Sequence, residues 1–477
     1  MAGTLKQTTG QKDDDYISPL PDCLIHHIFS FLRMRDVVKT CVLSKSWRSV
    51  WTTVSDLRFS ISSYDDDWFV ERVLTQYGWA KVEKFHLDIE SKHFFTSTID
   101  SSVCFAIDHQ VQELRLSFNF GWACYTLSPL LYSCSSLTKL CLSRCCLSFS
   151  ESISWISLKS LSIQYMDMSD DVLQKILMGS PVLEYLNLKR CWDVKGIHST
   201  SLKELVIDDI QVGLPLHIST PQLLSLHVTD YLFEIIRIVE APSLLEAVLD
   251  FHSQIKSDFC LLKEMLCKLQ NATRILFGSW CVRVMWPLKV EDVQVLLPSC
   301  KSLTLHVPIP EFSFPAIANM LATTPNLEKL VIVFKPFDPY SYSVYSLYSN
   351  SQNISDLDSC NFDHESYWHI KKKFKRWALH LKNVEIFGFY DCLRFKYEEV
   401  LTLVKFLLGH AFVLENMVID VMKGLQHLEL QYYADSFHET LRSVKLLKML
   451  KLFIAILVGE ILLKSCVDLN SLLDLMM

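Results

Sequence analysis

Glycine is scarce in this chain, 12 among 477 residues, and none of them forms a G-x-G-x-x-G or G-x-x-x-x-G-K-[ST] run. Cradling a phosphate with backbone amides calls for such glycines, so the sequence argues against a nucleotide-binding sheet. A G-x-S-x-G turn is also missing, which removes the serine-hydrolase arrangement. No H-E-x-x-H occurs. The nearest approach, "HESYWH", sets His364 and His369 five residues apart, roughly 140° around a helix, where they cannot share a metal. Cysteines number 16, yet no two form a C-x-x-C pair, and the tightest group, Cys141, Cys145 and Cys146, has no histidine beside it in sequence. That spacing suits neither zinc nor a disulfide framework and predicts free thiols packed as small apolar groups.

Positive charge is not in excess. A net charge of −7 and a pI near 6.1 argue against a partner held by phosphate attraction, so no nucleic acid is expected. Long apolar runs are missing as well. The most hydrophobic segment, "LFIAILVG" between Lys451 and Glu460, falls far short of the roughly 20 residues a membrane span needs. The first fifteen residues are polar and acidic with no apolar core, so no secretory signal is predicted. The expectation is a soluble intracellular protein, in nucleus and/or cytoplasm, with no membrane partner.

What is present is a folded chain, 50% hydrophobic and 21% charged, long enough for one very large domain or several ordinary ones. Its first structured stretch is "LPDCLIHHIFSFLRMRDVVKTCVLSKSWRSVW", Leu20 to Trp51. Asp22 to Leu32 reads as a helix with Pro21 at its start, where a missing N–H costs little. Leu24, Ile28 and Phe31 share one side, and Ile25, Phe29 and Leu32 lie beside them, an arc of roughly 160°, wider than one core contact requires. Arg35-Asp36 opens a second short helix bearing Val37, Val38, Cys41 and Val42, and Ser44 can cap a third that faces Trp47, Val50 and Trp51 one way. Three short helices cannot bury this much apolar surface by themselves. His26 and His27 fall on the polar side of the first helix, and Cys23 and Cys41 are packing residues.

Leu20-Pro21, the "HIFSFL" run, Asp36-Val37-Val38 and "VLSKSWRSVW" resemble an F-box, over residues 16–56. The resemblance implies docking on a Skp-family adaptor and, through it, a cullin-RING ubiquitin ligase. It assigns adaptor binding to Leu20, Pro21, Leu24, Ile28, Leu32, Val38, Leu43, Trp47 and Trp51. Two positions depart from the plant pattern. Arg33-Met34 replaces Pro-Thr before the second helix, losing an N-cap worth about 1 kcal/mol, and Ser46 stands where a basic residue is common.

The pattern apolar-x-x-apolar-x-apolar then recurs eleven times, beginning at Val82, Val111, Leu137, Leu158, Leu183, Leu202, Leu223, Leu244, Ala272, Cys300 and Leu327, at intervals of 19 to 29 residues. That period is the one leucine-rich repeats show. In each unit two side chains of a short strand point inward and the residue three earlier reaches the same core around the entering turn. Longer units have room for a helix, as in "VLQKILMGSPVLEYLNL"; shorter ones enter through Pro221 or Pro242. Stacked, they predict a solenoid with parallel strands on one face over residues 80–335. Residues between the core positions would project from that face. Lys139, Tyr185, Asn187 and Glu204 are the candidates for target contact, and the mixed chemistry of the face suits a protein target better than a polyanion.

After Val333 the pattern lapses. Residues 336–370, rich in Ser, Tyr, Asn and Asp, read as a surface loop, and "KKKFKR", Lys371 to Arg376, as a solvated helix face. "LHLKNVEIFGFYDCLRFKYEEVLTLVKFLLGHAFVLENMVI", Leu379 to Ile419, resembles the FBD module at the C-terminus of many plant F-box repeat proteins, and places an FBD-like region over residues 371–425. The tail, 426–477, reads as helical. The fold class is thus α/β: a three-helix F-box, a repeat solenoid with parallel strands and an α+β FBD-like region. The resemblance implies a substrate-receptor subunit of a Skp–cullin–F-box ligase with no catalytic residue, no metal and no cofactor of its own. The alternative is an F-box scaffold that binds the adaptor without delivering a target.

Overall fold

The computed structural model describes residues 16, 20–45, 47–78, 80–90, 96–119, 125–147, 152–210, 215–230, 236–251, 259–285, 295–308, 313–335, 379–389, 403–404, 407–409, 411–421, 453–458 and 461–463. They fall into two compact units, Met1–Val194 and Lys195–Met477.

The first unit opens with three short helices, α1 (Asp22–Phe29), α2 (Met34–Lys39) and α3 (Trp47–Val50), joined through 3₁₀ turns at Thr40–Val42 and Trp51–Thr53. Pro21 caps α1 in an extended conformation, and its carbonyl accepts the N–H groups of Leu24 and Ile25. The helix stops at Phe29, earlier than its apolar period suggests, because Phe31 and Leu32 turn back to the carbonyls of Ile28 and Phe29 in a tighter i→i+3 pattern. Arg33 precedes α2 and offers it no side-chain cap, as expected where Pro-Thr is lost.

Six parallel strands follow: β1 (Asp56–Ile61), β2 (Lys84–Ile89), β3 (Glu113–Phe118), then Lys139–Ser143, Ser160–Gln164 and Tyr185–Lys189. They pair in chain order with unbroken register. Between them run helices at Tyr64–Gln76, Thr96–Asp108 and Asp170–Gly179, each closing a crossover that parallel pairing requires.

The second unit repeats the plan. Strands Glu204–Asp208, Ser225–Asp230, Glu246–Phe251, Arg274–Phe277, Ser302–Pro308 and Lys329–Lys335 pair in parallel, and Asn383–Phe389, Asn416–Val421 and Phe453–Val458 continue the order. Its shortest repeats have no room for a helix. Their return limbs instead form a second parallel sheet from Gly196–His198, Leu216–Ser219 and Ile236–Glu240.

Core formation follows the motif. All three apolar positions of all eleven repeats are 2% exposed or less. On the entering turn a backbone relay links neighbours: the amides of Leu245 and Glu246 both donate to the Leu224 carbonyl, and those of Thr273 and Arg274 to the Leu245 carbonyl. The same pairing recurs at Gln112, Thr138, Lys159 and Lys301, so each turn satisfies the next one's donors.

The parallel array extends beyond the expected 80–335 in both directions. Val54, Leu57 and Phe59 are buried like any repeat core, which places β1 in the array. At the other end Leu381, Val384 and Ile386, then Leu414, Met417 and Ile419, repeat the same spacing and are buried. The strands of the FBD-like stretch are therefore consecutive rungs of the sheet. One bulge interrupts them. Gly388 has φ +74° and a Cβ there would sit 2.2 Å from the Phe334 carbonyl oxygen, so the position demands glycine. The tail expectation is corrected: Phe453–Val458 is a strand, and Ile461–Leu463 returns antiparallel to it. Its run of β-branched residues favours a strand over a helix. The expected loop 336–370 and the basic run Lys371 to Arg376 lie outside the described residues.

Candidate docking surfaces

Helix α1 is apolar on two sides, and the fold covers one. Ile25 and Phe29, four residues apart, are buried, with the Phe29 ring meeting Trp47 edge-on at 5.6 Å. Met34 and Val37 of α2 are buried as well. On the other side Leu24, Ile28 and Phe31 follow at i, i+4 and i+7 and stay 48%, 40% and 74% exposed. Val42, 87% exposed, and Leu43 lie on the 3₁₀ turn that follows α2. A line of large apolar side chains facing water on a small helical segment marks a contact surface.

Of the residues assigned to adaptor binding, Pro21, Leu24, Ile28 and Leu43 are exposed, and Leu20, Leu32 and Val38 are half-buried. Trp47 and Trp51 require a correction. At 3% and 8% exposure they are core residues of the helical segment, and the Trp47 ring packs against Phe29 of α1. Phe31 and Val42, left out of the assignment, are more exposed than any large apolar residue in it. The 1-5-8 spacing of Leu24, Ile28 and Phe31 was the available signal for Phe31.

The helical segment is fixed to the repeats that follow it. Within the segment His26 Nε2 lies 3.0 Å from the Thr53 hydroxyl, tying α1 to its last turn. Arg35 pairs with Asp66 at 2.5 Å and lays its guanidinium over the Phe69 ring, 5.1 Å from its centroid. Asp66 also closes a capping box with Ser63 at the start of helix Tyr64–Gln76. Burial favours its protonated form, but hydrogen bonds from Ser62 and Ser63 together with Arg35 outweigh that and hold the carboxyl below its ordinary pKa.

The exposed face of the strands is the second candidate surface. In the first unit it is a lattice of paired charges: Arg58 with Asp56 at 2.6 Å, Lys139 with Glu113 at 3.0 Å, and His86 beside Glu113 at 3.4 Å. Burial lowers the His86 pKa, so the imidazole is held neutral between its charged neighbours. Lys139 is exposed, whereas Tyr185 and Asn187 are half-buried on one strand, aligned with Ser160 and Ser162 of the next. Ser160 aligns in turn with Lys139, so these three target-contact candidates share one patch. Glu204 is exposed on the first long strand of the second unit. There the face pairs Glu246 with Arg274 at 2.8 Å and Lys329 with Glu385 at 2.7 Å. Asp250 reaches over Gly278 to the His306 ring at 3.0 Å.

The buried thiols are poor nucleophiles. Burial pushes Cys145, Cys191 and Cys300 up to about 12, and Cys281 higher still. Cys146 departs from the expectation of free thiols, being disulfide-bonded. Among the described residues no three His, Cys, Asp or Glu side chains are placed to hold a metal ion, and no helix is long and apolar enough to cross a membrane. His364 and His369 lie outside the described residues.

Comparison with known proteins finds matches to two family models. Residues 17–59 match the family model described as the F-box domain, and residues 100–332 match the one described as "FBD-associated F-box protein At5g56370, LRR repeats". The chain is 30% identical over 346 residues to F-box/LRR-repeat protein At5g02910 of Arabidopsis thaliana, covering 68% of this chain and 73% of that one. It is 36% identical over 186 residues to F-box/LRR-repeat protein 25 of the same organism, covering 39% and 71%. F-box/LRR-repeat protein At3g03360, also of Arabidopsis thaliana, is 28% identical over 344 residues, 67% of this chain and 70% of its own.

Proposed function

The chain belongs to the plant F-box/leucine-rich-repeat family, and from that premise we propose that it is the substrate-receptor subunit of a Skp–cullin–F-box ubiquitin ligase. The observation that carries the reading is the uncovered apolar stripe of Leu24, Ile28 and Phe31 on a helical segment clamped to the repeats through Arg35 and Asp66. In this role the F-box docks on a Skp-family adaptor and the repeat face, including Lys139, Tyr185, Asn187 and Glu204, holds a target protein. The chain performs no reaction itself. By tethering the target near the cullin-bound ubiquitin carrier it raises the target's effective concentration and turns a bimolecular transfer into a nearly intramolecular one. The work is carried out in nucleus and/or cytoplasm.

The test is co-purification followed by a stability measurement. Cullin should co-purify with the intact chain and disappear when Leu24 and Ile28 are changed to serine. A protein bound to the repeats should then accumulate when the proteasome is inhibited. Adaptor binding without proteasome-dependent loss of any bound protein would replace this reading with that of a non-degradative scaffold.

A further inference from the structure

In the first unit three neighbouring strands end alike. Lys139–Ser143, Ser160–Gln164 and Tyr185–Lys189 are aligned residue by residue to their last positions. The next residue in each, Arg144, Tyr165 and Arg190, turns into left-handed backbone, with φ of 56°, 54° and 48°. Hydrogen bonds fix the corner: the Arg144 amide donates to the Gln164 carbonyl and the Tyr165 amide to the Lys189 carbonyl, each at 2.9 Å. A turn that only had to redirect the chain would favour Gly, Asn or Asp, which tolerate positive φ. Bulky side chains held this way on three adjacent strands are strain of the kind that gathers at binding sites.

The strain sets up a stack. Arg144 Cζ lies 4.5 Å from the centre of the Tyr165 ring, and Arg190 Cζ 5.7 Å from it. A guanidinium packed over an aromatic face keeps its orientation and can still donate from its edge. Arg144 is the informative member. It is half-buried, its Nε is buried with no hydrogen-bond partner, and it forms no ion pair among the described residues. Asp167 and Asp193 stand exposed in the loops that follow Tyr165 and Arg190 and are not among its partners.

A partly buried positive charge with an unfilled donor is costly until an acceptor reaches it. The acceptors that suit an arginine fork are the paired oxygens of a carboxylate or a phosphate. Charge thus names the ligand as an anion, and the setting says what presents it. Arg190 is exposed and Tyr165 half-buried at the ends of strands, so a free ion would gain little beyond the Arg144 contact. A side chain of a protein docked on the strands arrives with its neighbours already bound, which raises its effective concentration at the corner.

We propose that this corner takes an oxyanion side chain of the target protein, the carboxylate of Asp or Glu or the phosphate of a phosphorylated residue. Arg144 is the contacting cation and Tyr165 the platform that positions it. The proposal rests on the reading of the repeats as the target-binding part of the chain, and specifies the chemistry that the first unit reads. It belongs with the recognition of acidic or phosphorylated motifs by arginine.

The test is selection of short random peptides against the immobilised full-length chain, in two arms. One is an unmodified library displayed on phage; the other is a synthetic library with one fixed phosphoserine. Neither arm needs the adaptor or ubiquitin transfer, so a failure of the ligase reading leaves the result unaffected. Peptides from the first arm should be enriched in Asp or Glu, or those of the second retained over their unphosphorylated counterparts; the arm that responds names the source of the oxygens. Recovery should fall roughly tenfold or more on Arg144→Gln and on Tyr165→Leu. It should stay unchanged on Lys84→Gln, which removes a positive charge elsewhere on the same unit. Thermal melts check that the variants are folded. Should Arg144→Gln lose its melt, Arg144→Lys, which keeps the charge without the planar fork, serves in its place with the same expected loss. Recovery with no acidic or phosphate bias, equal recovery on wild type and either corner variant, an equal loss on Lys84→Gln, or no enrichment in either arm overturns the proposal.

Discussion

Removing the exposed stripe of α1 and removing its buried one should have opposite consequences, and the sizes can be worked out. Fully burying a large aliphatic side chain is worth about 1.5–3 kcal/mol. Leu24 and Ile28 keep 48% and 40% of their surface in water, so an adaptor that covers them gains about 1 kcal/mol from each. Replacing both by serine should therefore cost about 2 kcal/mol of binding, roughly a thirtyfold weaker Kd. Stability should move by less than about 0.5 kcal/mol per site, as is usual at exposed positions. Phe29→Ala is the counterpart. That ring is buried against Trp47, and truncating a buried phenylalanine costs about 3–5 kcal/mol, enough to unseat the helical segment. Titration calorimetry with a purified Skp-family adaptor reads the first effect, and a circular-dichroism melt of the same samples reads the second. If the Leu24→Ser, Ile28→Ser variant binds the adaptor as tightly as wild type while folded, the exposed stripe is not the docking face.

Leu186→Asp should unfold the first unit in denaturant titrations, because it places a charge among fully buried leucines; a melt within experimental error of wild type would show that the repeat register is wrong. Gly388→Ala should destabilise by at least about 1–2 kcal/mol, from the left-handed backbone alone, and a neutral result in the same titration would contradict the bulge. His86 has a folded pKa below its ordinary 6.5 because of burial. Its contribution is therefore complete above pH 6.5 and is lost as pH falls through the folded value, since the unfolded chain takes up the proton first. Replacing it with Asn should flatten the decline of the melting temperature as pH falls below 6.5, and an unchanged slope would count against a buried neutral imidazole.

The eleven repeat cores were legible because their signal is local: three apolar residues at fixed spacing, each buried where the pattern puts it. The rungs at either end carry the same motif and escaped notice for a different reason. Val54 precedes Val82 by 28 residues but adjoins the helical segment, and Leu381 follows Leu327 only after 54, so periodicity gives way where a long insertion intervenes. In α1 the width of the apolar arc announced two contacts without saying which one the chain supplies. That choice depends on where Trp47 and Trp51 come to rest, a tertiary fact that no helical period encodes. The segment ending near Leu463 illustrates a third limit. A continuous apolar run has no period, so helix and strand cannot be told apart by pattern, and β-branching was the only remaining guide.

The same geometry explains why the core says so little about what the protein binds. Each repeat needs its three inward residues apolar, and the two units meet that demand alike. Outward positions contribute little to folding, since a half-exposed side chain on a paired strand changes stability by tenths of a kcal/mol to about 1 kcal/mol. They are therefore free to differ, and they do: Arg58, His86 and Arg115 occupy in one unit the strand position that Val206, Val248 and Leu276 occupy in the other.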